Sequence, residues 1–420
     1  MTDQTRRTTR RTALKAIGLL AFTGTSGVAA ASPPGNGNGN GDGNGTDDSL
    51  RLFSEVAVDG THEIATDGNY AYVATGDGLS VVDFRNPTRP EVVGSMTASD
   101  PAGGILDAKV DGDLVSLASN GGPGITLVDV SDPSDPTEIS FVDVGHHIHN
   151  NFLADGYAYL TVNESGDAAF SKARTIVVDV RDPSDAAVVG EYRLKDDFQE
   201  FAMGGVSACH DVYVQDDLLY QAFWDSGVVV ADVSDPTDPQ LVTQFGEAPG
   251  ADVPGYDLET YLTPPGNAHY VQPSPDGDLV YVGAETFPGN FVDNPDNDDY
   301  GGIKIFDVSD TADPQELVRI DPPNADGFRT SHNFDVTANR LHASWYDGGV
   351  TVHDVTDPEN PETLAGYRTD DTSFWGAKTT RSFTLAGDIG GGIAVLHNDR
   401  GKRESPGFDG SGSPDAPGMQ

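Results

Sequence analysis

LVDVSDP (residues 127–133) decides the fold, because the chain repeats it: VVDFRNP (81–87), VVDVRDP (177–183), VADVSDP (230–236), IFDVSDTADP (305–314) and VHDVTDP (352–358). Each copy is a short apolar run that ends in aspartate and enters a turn containing proline. The run aspartates are Asp83, Asp129, Asp179, Asp232, Asp307 and Asp354, at steps of 46, 50, 53, 75 and 47 residues. A weaker seventh copy is Gly392–His397. Self-similarity at such a period marks a repeat architecture, in which each copy is one supersecondary unit.

Working outward from each copy, four β-rich runs make up a unit. In the fourth unit they are His210–Val214 (strand a), Leu218–Ala222 (b), Val228–Asp232 (c) and Leu241–Phe245 (d). Val, Ile and Tyr between Gly, Asp and Pro read as strands and turns, and four strands per repeat is the signature of a propeller blade. The units start near His62, Asp107, His149, His210, His269, His332 and Trp375. The last lacks a strand d, and an orphan strand, Leu52–Val58, precedes the first. The expectation is an all-β, seven-bladed β-propeller of four-stranded blades over residues 49–399. The N-terminal strand completes the last blade and so removes an open sheet edge.

The repeat resembles that of the LVIVD-repeat proteins, named for this strand-c pattern, over roughly residues 50–399. The resemblance implies the propeller; it implies no activity, because propellers host many functions. A fainter similarity links SWYDGGVTVHDVTDPENP (344–361) to a blade of the selenium-binding, methanethiol-oxidase-like propellers.

Residues 1–31 read as a twin-arginine signal: Arg10-Arg11 precede the apolar run Ala16–Phe22, and Ala29-Ala30-Ala31 offers a small-residue cleavage site. Residues 32–48 are a Gly/Asn linker and 400–420 a Gly/Ser/Pro tail, both too polar to order themselves. The signal predicts an extracellular or cell-surface location. The lone Cys209 excludes a disulfide scaffold. A formal charge of −43 excludes nucleic acid as a partner and fits a haloarchaeal-type surface adapted to high salt. The expected form is a monomer, its partner an unidentified protein, glycan or small molecule.

Long insertions fall only in b–c connections (163–174, 285–301) and d–a connections (192–208, 246–267), which leave a propeller on the face where strand a begins. Variable loops on a rigid scaffold carry binding and catalysis. The same face carries five of the ten histidines at one repeat position: His62, His149, His210, His269 and His332. Asp107 is assigned to that position in the second unit. Two readings follow. In one, each histidine braces its blade against a b–c turn aspartate (Asp77, Asp225, Asp347, Asp388), as in WD-type propellers. In the other, imidazoles converging from several blades hold zinc, copper or iron, with His149, His210, His269 and His332 first, His62 second, and Glu164 and Glu285 completing the site. Asp293, Asp296, Asp298 and Asp299 form an acidic loop with oxygen ligands for Ca²⁺. Asn44-Gly-Thr46 and Asn163-Glu-Ser165 fit the glycosylation pattern. The functional expectation is an extracellular binding or interaction propeller with a His-lined mouth that holds a metal ion. The alternative is a metal-dependent enzyme, with oxidoreductases among the classes it would fit.

Overall fold

The computed structural model describes residues 50–100, 103–120, 122–163, 172–198, 208–246, 266–287, 301–380 and 383–398. The signal segment, linker and tail, Glu164, and Asp293, Asp296, Asp298 and Asp299 lie outside the described residues.

The strands run in chain order as follows. β1 (Leu50–Val56) is followed by β2 (Ile64–Asp67), β3 (Tyr70–Ala74), β4 (Gly78–Asp83) and β5 (Glu91–Thr97). Then come β6 (Ile105–Asp111), β7 (Leu114–Ser119), β8 (Gly122–Asp129), β9 (Thr137–Ala154), β10 (Tyr157–Val162), β11 (Arg174–Asp179) and β12 (Ala187–Arg193). β13 (Asp211–Gln215), β14 (Leu218–Ala222), β15 (Val228–Asp232) and β16 (Gln240–Phe245) form the next group, and β17 (Ala268–Pro273), β18 (Leu279–Ala284), β19 (Ile303–Asp307) and β20 (Gln315–Ile320) the one after. The last are β21 (Phe334–Val336), β22 (Arg340–Ser344), β23 (Val350–Asp354), β24 (Glu362–Tyr367), β25 (Phe374–Thr380), β26 (Phe383–Asp388) and β27 (Gly392–Asn398). One helical turn, Leu194–Asp197, follows β12.

These strands form an all-β, propeller-like fold of antiparallel sheets. Four sheets are simple meanders: β2 to β5, β13 to β16, β17 to β20 and β21 to β24. A fifth has the order β1-β27-β26-β25, so the N-terminal strand hydrogen-bonds to the C-terminal one, Leu50 opposite Asn398 through Val56 opposite Ile393. The second and third repeats depart from the expected separate blades. They share one seven-stranded sheet, β6 to β12, because β9 is a single 18-residue strand. Its first half pairs with β8 as an outer strand and its second half with β10 as an inner one. The link between the halves, Val144 to His147, is too short to leave the ladder.

Apolar side chains of neighbouring repeats fill the spaces between sheets. One such layer joins Tyr159, Val177 and Tyr192 to Val212, Leu219, Phe223 and Val229, all buried. The recurring strand-c aspartate lies outside these layers. Asp232, Asp307 and Asp354 each accept the N–H two residues on, from Ser234, Ser309 and Thr356, at 2.8–2.9 Å. They thereby fix the start of the proline turn. The hydroxyl and N–H of those same residues hold the three carboxyls below their ordinary range.

The inner strands meet in sequence around an axis: β2 with β6, β6 with β9, β9 with β13, β13 with β17, β17 with β21, β21 with β25, and β25 with β2. Their buried polar side chains bond one another across repeats. Asn333 Nδ2 donates to Glu63 Oε2 at 2.6 Å, and Lys378 Nζ lies 3.3 Å from Glu63 Oε1 and 3.2 Å from the Tyr270 hydroxyl. Lys109 pairs with Asp107, which also accepts the Asn151 amide at 2.8 Å. Asn150 Nδ2 donates to Asp211 Oδ2 at 2.6 Å. The lattice ties residues 270 positions apart in sequence and sits just below the mouth that carries the histidines.

Two outcomes are expected. A folded-state pKa below the ordinary 3.8 means that the turn aspartates stabilise above that pH, and that the contribution is lost as pH falls through the folded value. Thermal unfolding between about pH 3 and pH 5 should fall less steeply in Asp232→Asn/Asp307→Asn/Asp354→Asn than in the parent. Lys378→Met leaves Glu63 buried without its cation and should cost about 3–5 kcal/mol by denaturant unfolding, whereas Lys378→Met/Glu63→Gln should cost clearly less.

Candidate metal centre at the channel mouth

Strand register defines the mouth position. His62 N–H donates to Ala74 O, His210 N–H to Ala222 O and His332 N–H to Ser344 O, each to the last residue of the adjoining strand. On β6, β17 and β25 the register shifts at this point, between Ile105 and Asp107, Ala268 and Tyr270, and Phe374 and Gly376. The skipped residues are Leu106, His269 and Trp375. A bulge of this kind re-aims one side chain. The position in the second repeat therefore belongs to Leu106. Asp107, assigned to it from sequence, lies one residue deeper, level with Glu63 and Asp211 in the lattice.

Four of the five histidines pack edge-on or tilted into an arc. Ring centroids are 4.1 Å apart for His149 and His210, 3.9 Å for His210 and His269, and 4.5 Å for His269 and His332. Trp375 continues the arc 4.3 Å from His332, and His62 packs edge-on against Trp375 at 5.1 Å. His62 is thus set apart from the other imidazoles by the indole.

The hydrogen bonds of these rings do not follow the bracing pattern. His62 Nδ1 bonds to Gly60 O at 2.7 Å, His149 Nδ1 to Asn120 Oδ1 at 2.9 Å and His332 Nδ1 to Trp375 O at 2.5 Å. The turn aspartates hold loop backbone instead: Asp347 accepts the Phe328 N–H at 3.1 Å and Asp388 the Ser373 N–H at 2.9 Å. His210 Nδ1 and both ring nitrogens of His269 are buried with no hydrogen-bond partner.

A second ring of side chains interleaves with the first. Register makes Gly76, Asn120, Asn163, Trp224, Glu285 and Tyr346 equivalent, each six residues after the strand-b residue that pairs with the strand-c aspartate. Several of them touch the mouth residue of the next repeat. Asn120 bonds His149, and the Trp224 ring lies 6.3 Å from His269. Glu285 Oε1 is 4.0 Å from His332 Nε2, and the Tyr346 ring is 6.2 Å from that of Trp375. Gly76, Trp224 and Tyr346 also bridge by backbone to Ile105, Ala268 and Phe374, the residues just before the mouth positions. That clamp needs a left-handed backbone: φ is +80° at Gly76, +42° at Trp224 and +48° at Tyr346. Holding bulky aromatics there costs about 1–2 kcal/mol each, and backbone strain of this kind clusters at functional sites.

Glu285 brings a carboxylate into the arc. Its Oε2 is 3.4 Å from His269 Nε2, and its Oε1 accepts the Tyr346 hydroxyl at 2.5 Å. Ligand atoms of His210, His269 and Glu285 all lie within 4.8 Å of one another. Burial pushes the Glu285 carboxyl up to about 8. Burial also drives the imidazoles down, to about 3 at His149 and about 4 at His332, and well below the ordinary value at His210 and His269, where neighbouring imidazoles add to it. The rings are therefore neutral at ordinary pH, the form that ligates metals. Cys209 stands beside His210 in sequence but packs into the inter-sheet core, with Sγ 3.5 Å from Thr175 Oγ1. Asn163, the first residue of a glycosylation pattern, is buried.

The LVIVD repeat family model matches residues 60–98, 107–144 and 207–246. No curated protein matches the sequence. Among solved structures, the chain is similar to the Cps50 (Swd1) β-propeller domain of Myceliophteria thermophila, at 11% identity and a TM-score of 0.58, over 81% of this chain and 98% of that one. It is also similar to the computationally designed Ika8 protein, at 11% identity and a TM-score of 0.55, over 83% and 100%. At such identity the likeness concerns fold alone. The chain carries LVIVD repeats on a β-propeller-like fold.

Proposed function

We propose that this protein is an exported, closed seven-bladed propeller whose channel mouth binds one transition-metal ion through His210, His269 and Glu285 and works there as a metal-dependent enzyme. Seven blades follow when β9 is counted twice, as the outer strand of one blade and the inner strand of the next. The pairing of β1 with β27 and the cycle of inner-strand neighbours support closure. Export rests on the twin-arginine pattern, a route that carries folded proteins.

One observation carries the metal reading. Three imidazole nitrogens are buried without partners beside a buried carboxylate. Leaving such groups unsatisfied costs about 1–3 kcal/mol each, and one metal ion would take one nitrogen from each ring together with the Glu285 carboxylate. Two imidazoles and one carboxylate form the donor set of catalytic zinc centres and of non-haem iron enzymes, which keep positions open for water or substrate. When bound, the ion would supply Lewis acidity at such a position. Tyr346 holds one Glu285 oxygen and leaves the other turned towards His269. His149 and His332 flank the ligands, and the buried rings around them exclude water.

The test is metal content by mass spectrometry on protein purified at high salt, beside His210→Ala/Glu285→Ala. The parent should carry about one zinc, copper or iron per chain, and the variant should lose it while keeping its fold. A parent without metal, or a variant that retains it, would return the mouth to the reading of an extracellular interaction surface for a protein, glycan or small molecule.

A further inference from the structure

Asn163 is the member of the second ring that has no visible task. It follows β10 at the repeat position that Asn120, Trp224, Glu285 and Tyr346 occupy in their own repeats. Asn120 spends its carboxamide on His149 of the next repeat. Trp224 packs against His269, and Glu285 approaches His332. Trp224 likewise lies 5.3 Å from His210 of its own repeat and Glu285 3.4 Å from His269 of its own, so the same register sets Asn163 between the positions of His149 and His210. Its side chain is only 7% exposed, yet neither Oδ1 nor Nδ2 has a hydrogen-bond partner. His210 Nδ1, at the neighbouring mouth position, is also unpartnered.

A buried carboxamide with both ends free is costly and rare in native proteins. A leucine of similar size would fill the same volume without the penalty. The cost is explained if a ligand meets it. We infer that Asn163 recognises the exogenous molecule that occupies the open side of the centre, a role that rests on the metal reading above. The carboxamide offers an N–H donor and a carbonyl acceptor side by side. Its complement is a small molecule with one oxygen for the metal and an adjacent acceptor–donor edge, as in amides and hydroxamates. A simple carboxylate, with acceptors alone, would satisfy only Nδ2.

Acetohydroxamate and acetate serve as the probes, titrated into cobalt(II)-loaded protein and followed by the visible cobalt spectrum, with Asn163→Leu beside the parent. Asn163→Leu should bind cobalt as tightly as the parent and be at least as stable to heat, because an unsatisfied polar group has been removed. It should bind acetohydroxamate about tenfold or more weaker, with a smaller loss for acetate. Asn163→Asp, which keeps an acceptor and loses the donor, should fall below the parent for both probes. Equal acetohydroxamate affinity in parent and Asn163→Leu, with cobalt bound in both, would overturn the role of Asn163 and leave the metal centre standing. A parent that binds no cobalt would overturn the centre and this inference with it.

Discussion

Burial of polar side chains where the inner strands meet is the constraint on which the rest of the structure depends. Polar side chains buried between the inner strands need partners from the protein itself. Below the mouth much of this demand is met. Glu63, Asn333, Lys378 and Tyr270, and separately Lys109, Asp107 and Asn151, pair donors with acceptors across repeats. At the mouth His210 Nδ1 and both ring nitrogens of His269 stand without hydrogen-bond partners beside Glu285, and these residues mark the site.

The mouth gains its chemistry from two rings offset by part of a repeat. The inner ring supplies imidazoles, kept neutral by burial and by each other. The second ring supplies what acts on them: a carboxylate from Glu285, a hydrogen bond from Asn120, and the aromatic walls of Trp224 and Tyr346. Because each repeat delivers one side chain to each ring, substitution at a single position changes the site without touching the blade. The left-handed backbone that glycine adopts at Gly76 is kept at Trp224 and Tyr346 despite their bulk. Stability is given up there in return for the placement of two rings.

The repeat, the four-stranded unit and the shared position of the histidines were legible in the sequence, since strand c recurs with its Asx turn and period-two strands expose their pattern directly. Two features were hidden. The fusion of the second and third sheets depends on a link short enough to continue a ladder, which strand propensity does not reveal. The exchange of Leu106 for Asp107 depends on a bulge, and a one-residue bulge shifts the facing of a side chain without altering composition. The lattice left a trace that could have been read: of the seven lysines, Lys109 and Lys378 sit at the same place in inner strands, where an acidic, salt-adapted chain has no surface reason to put them. Glu285 was legible as a residue after strand b, but its weight came only from the register that sets it beside His269 and His332. Of the turn aspartates offered as braces, Asp347 and Asp388 hold loop backbone.

The central claim is that the unpartnered imidazoles and Glu285 together form a coordination site. Crystals of the full chain grown at high salt with the metal found in the native protein, measured on both sides of that metal's absorption edge, test it most directly. The account predicts one anomalous peak bonded to His210, His269 and Glu285 at about 2.0–2.2 Å, with at least one coordination position not filled by protein. No peak there, and ring nitrogens bonded instead to ordered water, would contradict it.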